Sequence, residues 1–271
     1  CYLLKLFNIV FYFFIKSSTL DFFKSFIPLN AIFILTGLLV NLAVPPFSSW
    51  LLGGYAIVPS YIGLVFAICT TKISALLIMK LFAGWDILIF IGIITSIYGI
   101  LFSLFDNNIK RSILYVIIAE LGIILIFIGI TQNTTNTSLI AIINDLICIP
   151  ILLCSTYFII HLFKQEKITD IKNVFSNAKL VPLLTSIAAL SIAAFPFTLG
   201  YISKQNLYTN SHFANINWVL HTMDIISISI TISVCFRFIV FVFFRNFSLK
   251  ETTKNKISSK EYNSYIFVLI L

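Results

Sequence analysis

The sequence has 271 residues, of which 59% are hydrophobic and 10% charged, with a mean hydropathy of +1.04. Soluble domains carry roughly 25% charged residues, so this composition excludes an ordinary soluble domain and describes an integral membrane protein. The net charge of +8 does not point to nucleic acid, because most lysines and arginines fall in short segments between apolar runs, where positive-inside topology puts them.

A spanning helix needs about 20 apolar residues, and the apolar runs are taken here in chain order. Tyr2 to Ile15 is short and reads as the remainder of a cut helix. Ile27 to Leu52 is interrupted by Pro45-Pro46, followed by an aromatic anchor at Trp50 and an expected turn at Gly53-Gly54. Ser60 to Phe82 carries Lys72 near its middle, and Ile87 to Phe105 is uninterrupted. Ile113 to Ile130 encloses Glu120, and Leu139 to Phe163 encloses Asn144-Asp145 and Pro150. Leu180 to Tyr208 contains Pro196 and Lys204; Trp218 to Phe244 contains Asp224 and Arg237. Tyr262 to Leu271 reads as the opening of one more span. The chain starts at Cys1 and stops inside an apolar run, which reads as a single transmembrane domain over 1–271, cut from a longer chain, with about eight spans plus a truncated one.

The loops test this order. Lys110-Arg111, Lys164 to Lys179 and Arg245 to Lys260 are basic, whereas Thr131 to Thr137 and Asn210 to Asn217 contain no Lys or Arg. That alternation supports the last five spans with the basic loops cytoplasmic. Lys16 and Lys24 would fall on the opposite face, so the first three spans have less support.

A lysine at bilayer depth costs about 3 kcal/mol on insertion scales and marks a functional site by default. Lys72 is too deep in its span for comfortable snorkelling, while Lys80 ends the same helix as an interface anchor. Lys204 is nearer a boundary, where a pathway role and a loop role both stand. Glu120 is a pathway member or a counter-ion for either lysine. Asp145 is a pathway acid, or a protonated carboxyl paired with Asn144 or a backbone donor. Asp224 and His221 share a face at i and i+3 and read as interface polar groups. Prolines inside a span free carbonyls that protein or water must satisfy, which points to a cavity. Ala43-Val44-Pro45-Pro46-Phe47-Ser48 is echoed by Ala194-Phe195-Pro196-Phe197-Thr198. Paired proline-broken spans of this kind point to a transporter built from repeats.

No catalytic constellation is visible. Cys1, Cys69, Cys148, Cys154 and Cys235 sit in apolar runs without a CxxC pair and read as small packed hydrophobes. His161, His212 and His221 show no metal-ligand spacing. The expectation is therefore no metal, no cofactor and no catalytic site of its own; any redox chemistry would belong to partner subunits.

The run Pro46-Phe47-Ser48-Ser49-Trp50-Leu51, Gly54-Tyr55, Pro59 and Thr71-Lys72-Ile73-Ser74 resembles the proton-antiporter family. That family comprises the antiporter-like membrane subunits of respiratory complex I (NADH-quinone oxidoreductase) and the large subunits of Mrp-type sodium/proton antiporters. Asp106 to Tyr115, ending in Leu121-Gly122, resembles its "DxKRxxAYSSxxxxG" stretch. Phe195 to Lys204 resembles its "PPxxGFxxK" segment, and Cys235-Phe236-Arg237 the arginine end of a following helix. The Thr-Lys pair and the preceding Gly-Tyr lean towards the Mrp D-type subunit.

The resemblance implies an all-α bundle of transmembrane helices in two inverted repeats, each with a broken helix, and a mid-membrane row of titratable groups. Lys72 matches the lysine after the first broken helix and Lys204 the lysine of the second. Asn41 stands where the family has a lysine, Asn144 where it has a histidine of an "HDxxxK" stretch, and Ile149 where that stretch has its lysine. Residues and resemblance together give an expected ion pathway of Lys72, Lys204, Glu120, Asp145, Asn41 and Asn144, with Pro45, Pro46 and Pro196 at the breaks, although the family counterpart of Glu120 is usually an uncharged polar residue. The implied partners are other membrane subunits, lipid, protons and, for an exchanger, sodium. The implied location is a bacterial inner membrane or, alternatively, the mitochondrial one. A degenerate paralogue that keeps the fold without conducting is the alternative.

Overall fold

The computed structural model describes residues 28–57, 60–130, 135–168, 180–210 and 217–231. The expected first span, the start of a last one, Arg237, His212, Cys1 and Cys235 lie outside the described residues. Among the described residues there are nine helices and no strand. They are α1 (Pro28–Asn41), α2 (Ser49–Ile57), α3 (Ser60–Phe82), α4 (Asp86–Phe105) and α5 (Ile109–Ile130), then α6 (Thr135–Phe163), α7 (Leu180–Ile192), α8 (Leu199–Asn210) and α9 (Asn217–Thr231). Among the described residues, three stretches are long and apolar enough to cross a membrane, Asp86–Phe105, Ile109–Ile130 and Thr137–His161.

The centre of the bundle is α5, in which every residue from Val116 to Ile130 is buried. A helix apolar all round has no solvent face to offer and is stable only when other helices or lipid enclose it. Here α4 lies along it most closely, and α2, α3, α6 and α9 complete the enclosure. The second hub is α6, which packs on α3, α5, α7 and α8.

Small residues set the α4–α5 approach. A Cβ on Gly92 would come 2.6 Å from the Gly122 carbonyl oxygen, and one on Gly122 would come 2.6 Å from the Ser96 nitrogen. One on Gly99 would meet the Tyr115 carbonyl oxygen at 2.6 Å. Lipid supplies no hydrophobic drive between helices, so close backbone packing across small residues takes its place. The opposite side of α4 presents Ile87, Phe90, Ile94, Ile97, Leu101 and Phe105, all exposed, as a lipid-facing stripe does.

The two proline-containing breaks share one backbone design. After α1, the Ala43 N–H donates to the Val40 carbonyl (3.0 Å) and the Val44 N–H to the Leu39 carbonyl (3.2 Å). After α7, the Ala194 N–H donates to Ser191 (3.1 Å) and the Phe195 N–H to Leu190 (3.0 Å). Both are Schellman caps, which need a left-handed residue that is usually glycine. Alanine fills it each time, at φ 54° for Ala43 and φ 55° for Ala194. The chain then turns alike, with Phe47 N–H bonded to Val44 (2.8 Å) and Thr198 N–H to Phe195 (3.2 Å). The prolines supply no N–H, so no helical ladder can run through either turn. The echo seen in the sequence is thus an echo of backbone geometry.

Two boundaries differ from expectation. Gly53-Gly54 is not a turn; both glycines lie inside α2. A helix tolerates glycine there at about 1 kcal/mol each, and α2 starts afresh after the prolines. Lys110-Arg111 is not in a loop but in the first turn of α5, because Asn108 caps that helix. Its side-chain oxygen accepts from the Lys110 N–H (3.0 Å) and Arg111 N–H (3.4 Å). Lys110 then turns inward, its ammonium 4.6 Å from the Tyr157 ring centroid, a cation–π contact.

The close approach of α4 and α5 makes a direct prediction. Gly122→Ala, which must push against the Ser96 backbone, destabilises the detergent-solubilised protein by about 1–3 kcal/mol. Gly53→Ala, with nothing within 4 Å of the new methyl, leaves the thermal midpoint unchanged or raises it. Equal effects of the two would contradict the packing.

Candidate functional site

Lys72 projects from the middle of α3 and is 2% exposed. Asp145, on α6 and also 2% exposed, accepts a hydrogen bond from the Lys72 ammonium at 2.6 Å. The partner of Asp145 is thus the lysine, while Asn144 is bonded to Ser191 and Cys148 instead. Two charges taken out of water in this way are tolerated only as a close, hydrogen-bonded pair.

Glu120 lies mid-α5, buried among helices, and its Oε1 has no hydrogen-bond partner among the described residues. Asp145, Lys204 and Lys72 are all near enough to act on its charge. Lys204, from the middle of α8 and partly buried, has Glu120 and Asp224 of α9 within electrostatic reach. The structure therefore gathers Lys72, Asp145, Glu120, Lys204 and Asp224, drawn from α3, α6, α5, α8 and α9, into one electrostatically coupled row in which Lys72 and Asp145 are in direct contact. Each neighbour in the row comes from a different helix.

Asn144, beside Asp145, is buried, and its side-chain oxygen accepts from the Ser191 hydroxyl (2.6 Å) and the Cys148 thiol (3.6 Å). Ser191 also supplies the carbonyl that caps α7, so the second helix break is tied directly to the helix of the ion pair. A Cβ on Gly200 would collide with that same carbonyl, which is why α8 can restart against the end of α7 only with glycine there. At the first break, the Ser48 hydroxyl donates to the Tyr98 hydroxyl (3.1 Å) and the Trp50 indole N–H to the Val40 carbonyl (2.8 Å).

The remaining candidates are placed elsewhere. Asn41 closes α1 with its side chain exposed, outside the charged row. Ile149 is buried in α6 at 2% exposure. Pro45 is half-buried, and Pro46 and Pro196 are exposed. His221 is exposed, whereas Asp224 is partly buried, so the i, i+3 pair divides between surface and row. Sequence spacing shows that these two share a face but not that the face meets Lys204. Ser191 gave no signal either, being one small hydroxyl in an apolar run. No group of His, Cys, Asp and Glu among the described residues is arranged to hold a metal ion.

Helices broken by proline turns and a mid-bundle row of lysines and carboxylates define an antiporter-like transmembrane fold. The chain belongs to the NADH:quinone oxidoreductase/Mrp antiporter transmembrane family, whose pattern it matches over residues 3–257. Among relatives, it is 25% identical over 241 residues to NADH-quinone oxidoreductase subunit N 1 of Chloroherpeton thalassium, covering 83% of this chain and 49% of that protein. It is 29% identical over 138 residues to NADH-ubiquinone oxidoreductase chain 5 of Hypocrea jecorina, covering 48% of this chain and 19% of the other. Its fold is similar to a chain of the Mrp complex from a Dietzia species, with TM-score 0.73 and 18% identity, covering 82% of this chain and 43% of that one. It is similar also to a chain of the membrane-bound sulfane sulfur reductase, an archaeal respiratory membrane complex, with TM-score 0.73 and 17% identity, covering 86% and 49%. The chain spans about half the length of these relatives or less. An inner-membrane location, bacterial or mitochondrial, fits the family and the apolar spans.

The ion pair carries a stability prediction. Lys72→Met strands the Asp145 carboxylate and costs about 3–5 kcal/mol, while Lys72→Met with Asp145→Leu recovers most of that loss. Detergent unfolding of the two variants checks it; a double variant no better than the single would mean the two side chains are not coupled.

Proposed function

We propose that the chain works as a membrane subunit of a monovalent cation/proton antiporter or of a proton-translocating NADH-quinone oxidoreductase assembly. In this reading it moves protons along Lys72, Asp145, Glu120 and Lys204. The observation that carries the proposal is the Lys72–Asp145 pair, 2.6 Å long and buried, continued by Glu120 and Lys204.

The mechanism follows from the coupling of these charges. A proton arriving on Asp145 cancels the carboxylate that holds Lys72, and the freed ammonium then favours an anion or a proton release nearby. Glu120 is the next anion in line, and Lys204 the next cation beyond it. Each protonation changes the field at its neighbour, so charge can pass through the bundle by alternating partners rather than by one carrier crossing it. The break after α7 is tied by the Asn144–Ser191 bond to the residue beside Asp145, and in this reading water enters the row there. Partners in this reading are further membrane subunits and lipid, with sodium as the exchanged ion if the assembly is Mrp-like. The chain supplies no cofactor site, and electron transfer would lie in other subunits.

A second reading is a degenerate, non-conducting paralogue that serves as a structural subunit. The observation favouring it is that Asn41 faces out of the row and Ile149 is a buried hydrocarbon. By resemblance both stand at lysine positions, and neither takes up a proton near neutral pH.

Vesicles containing the full assembly separate the two readings. Conduction predicts that Lys72→Ala drops cation-linked proton transport to background; unchanged transport sinks that reading. Asn41→Lys with Ile149→Lys leaves an already active protein unchanged, whereas a gain from an inactive start supports the degenerate paralogue.

A further inference from the structure

Away from the charged row, the ends of α4, α5 and α6 meet around a polar cleft. The turn from α4 to α5 pairs with the segment after α6 in an antiparallel bridge between Asn108 and Lys167. The Ile109 N–H donates to the Glu166 carbonyl (2.9 Å) and the Ile168 N–H to the Asn107 carbonyl (2.9 Å). Ile109 and Ile168 are buried, and the Asn108 side-chain amide donates to Glu166 Oε2 at 2.7 Å. Residues from both halves of the bridge line a cavity of about 380 Å³, within the size range of small-molecule sites. Its charged lining is two cations, Arg111 and Lys167, and two carboxylates, Asp106 and Glu166. Arg111 and Asp106 form only a loose pair, Nε to Oδ2 3.5 Å, with the Arg111 side chain 54% exposed. Lys167 and Glu166 are exposed as well. Lys110, the other cation of this turn, is engaged on the Tyr157 ring and is not part of the lining. The cleft is thus formally neutral but separated in sign. A lone phosphate would meet two carboxylates there, and a lone cation two basic side chains. A ligand with both charges a few bonds apart satisfies all four.

We propose that this cleft is a headgroup site for a phospholipid with a primary amine, of the phosphatidylethanolamine type. Its phosphate lies on Arg111 and Lys167, and its ammonium on Glu166 and Asp106. The position of the cleft selects a lipid over a soluble zwitterion. It sits where the apolar spans Asp86–Phe105 and Ile109–Ile130 adjoin. The exposed stripe of α4 runs through Leu101 and Phe102 to Phe105, 80% exposed, the residue just before Asp106. Acyl chains follow that apolar face while the headgroup reaches the cleft. A purely basic pocket at a membrane edge selects anionic lipid; the two carboxylates here oppose that choice. A primary ammonium also donates hydrogen bonds to carboxylates, which the methylated nitrogen of a choline headgroup cannot. Because both halves of the Asn108–Lys167 bridge line the cleft, a bound headgroup fastens the α4–α5 turn to the end of α6. The site stands whether or not the chain conducts.

Native mass spectrometry of the full chain in its assembly, stripped of lipid and then offered equal amounts of phosphatidylethanolamine, phosphatidylcholine and phosphatidylglycerol, tests this. Retention is read as the difference between wild type and variant, so lipid held on other surfaces cancels. The wild type is expected to favour phosphatidylethanolamine by about tenfold, the worth of one charge-assisted hydrogen bond. Glu166→Gln shifts the preference towards phosphatidylglycerol, and Arg111→Gln with Lys167→Gln abolishes retention at the site. Lys167→Gln alone, at an exposed position, weakens retention and carries the test if the double variant does not reach the membrane. Equal retention of the three lipids, or a preference unchanged in Glu166→Gln and Lys167→Gln, overturns the proposal. Displacement of the lipid by soluble glycerophosphoethanolamine at matched concentration overturns the lipid as occupant.

Discussion

The Lys72–Asp145 bond is the constraint on which the rest of the bundle depends. It joins α3 to α6 through two charges that could not remain buried apart, and α6 in turn holds α5, α7 and α8. Remove either charge and the other is left in hydrocarbon, at a cost of about 3–5 kcal/mol, a large share of the stability margin of a typical domain. The pair is therefore a structural lock as well as a charge store. A relay needs both properties, since groups that loosen when they change charge would lose the geometry that couples them.

The broken helices and the glycine seam serve the same end. Pro45, Pro46 and Pro196 stop helical ladders, and alanine in a left-handed cap costs about 1–2 kcal/mol at each break. Side-chain bonds flank both breaks, from Trp50 and Ser48 at one and between Ser191 and Asn144 at the other. Gly92, Gly99 and Gly122 let α4 press against α5, the helix that carries Glu120.

Much of this was legible in the sequence. Lysine and carboxylates inside apolar runs stand out because lipid tolerates so few of them, which is why Lys72, Glu120, Asp145 and Lys204 could be singled out before any geometry. The helices α3 and α4 fell within a residue of their expected limits, and the proline echo anticipated two caps of one design. Other features depend on which way a face turns, and an apolar chain carries little periodicity to report that. Asn41 points out, and Asp224 reaches Lys204, for reasons that reside in helix packing. Lys110 could be read as a loop charge because basic residues usually mark membrane edges; the Asn108 cap and the Tyr157 ring instead draw it into α5. Gly53-Gly54 reads as a turn by composition, yet α2 runs through it because the prolines just before have already made the turn.

The central claim is that Lys72 and Asp145 touch inside the membrane. Solid-state NMR of the protein in lipid bilayers, with labelled lysine Nζ and aspartate Cγ, measures that contact through their dipolar coupling. The account predicts one strong lysine–aspartate coupling that disappears in Asp145→Asn and persists at neutral pH without bound ligand. A Lys72 signal with no aspartate within hydrogen-bonding range, or a coupling that survives loss of Asp145, would contradict it.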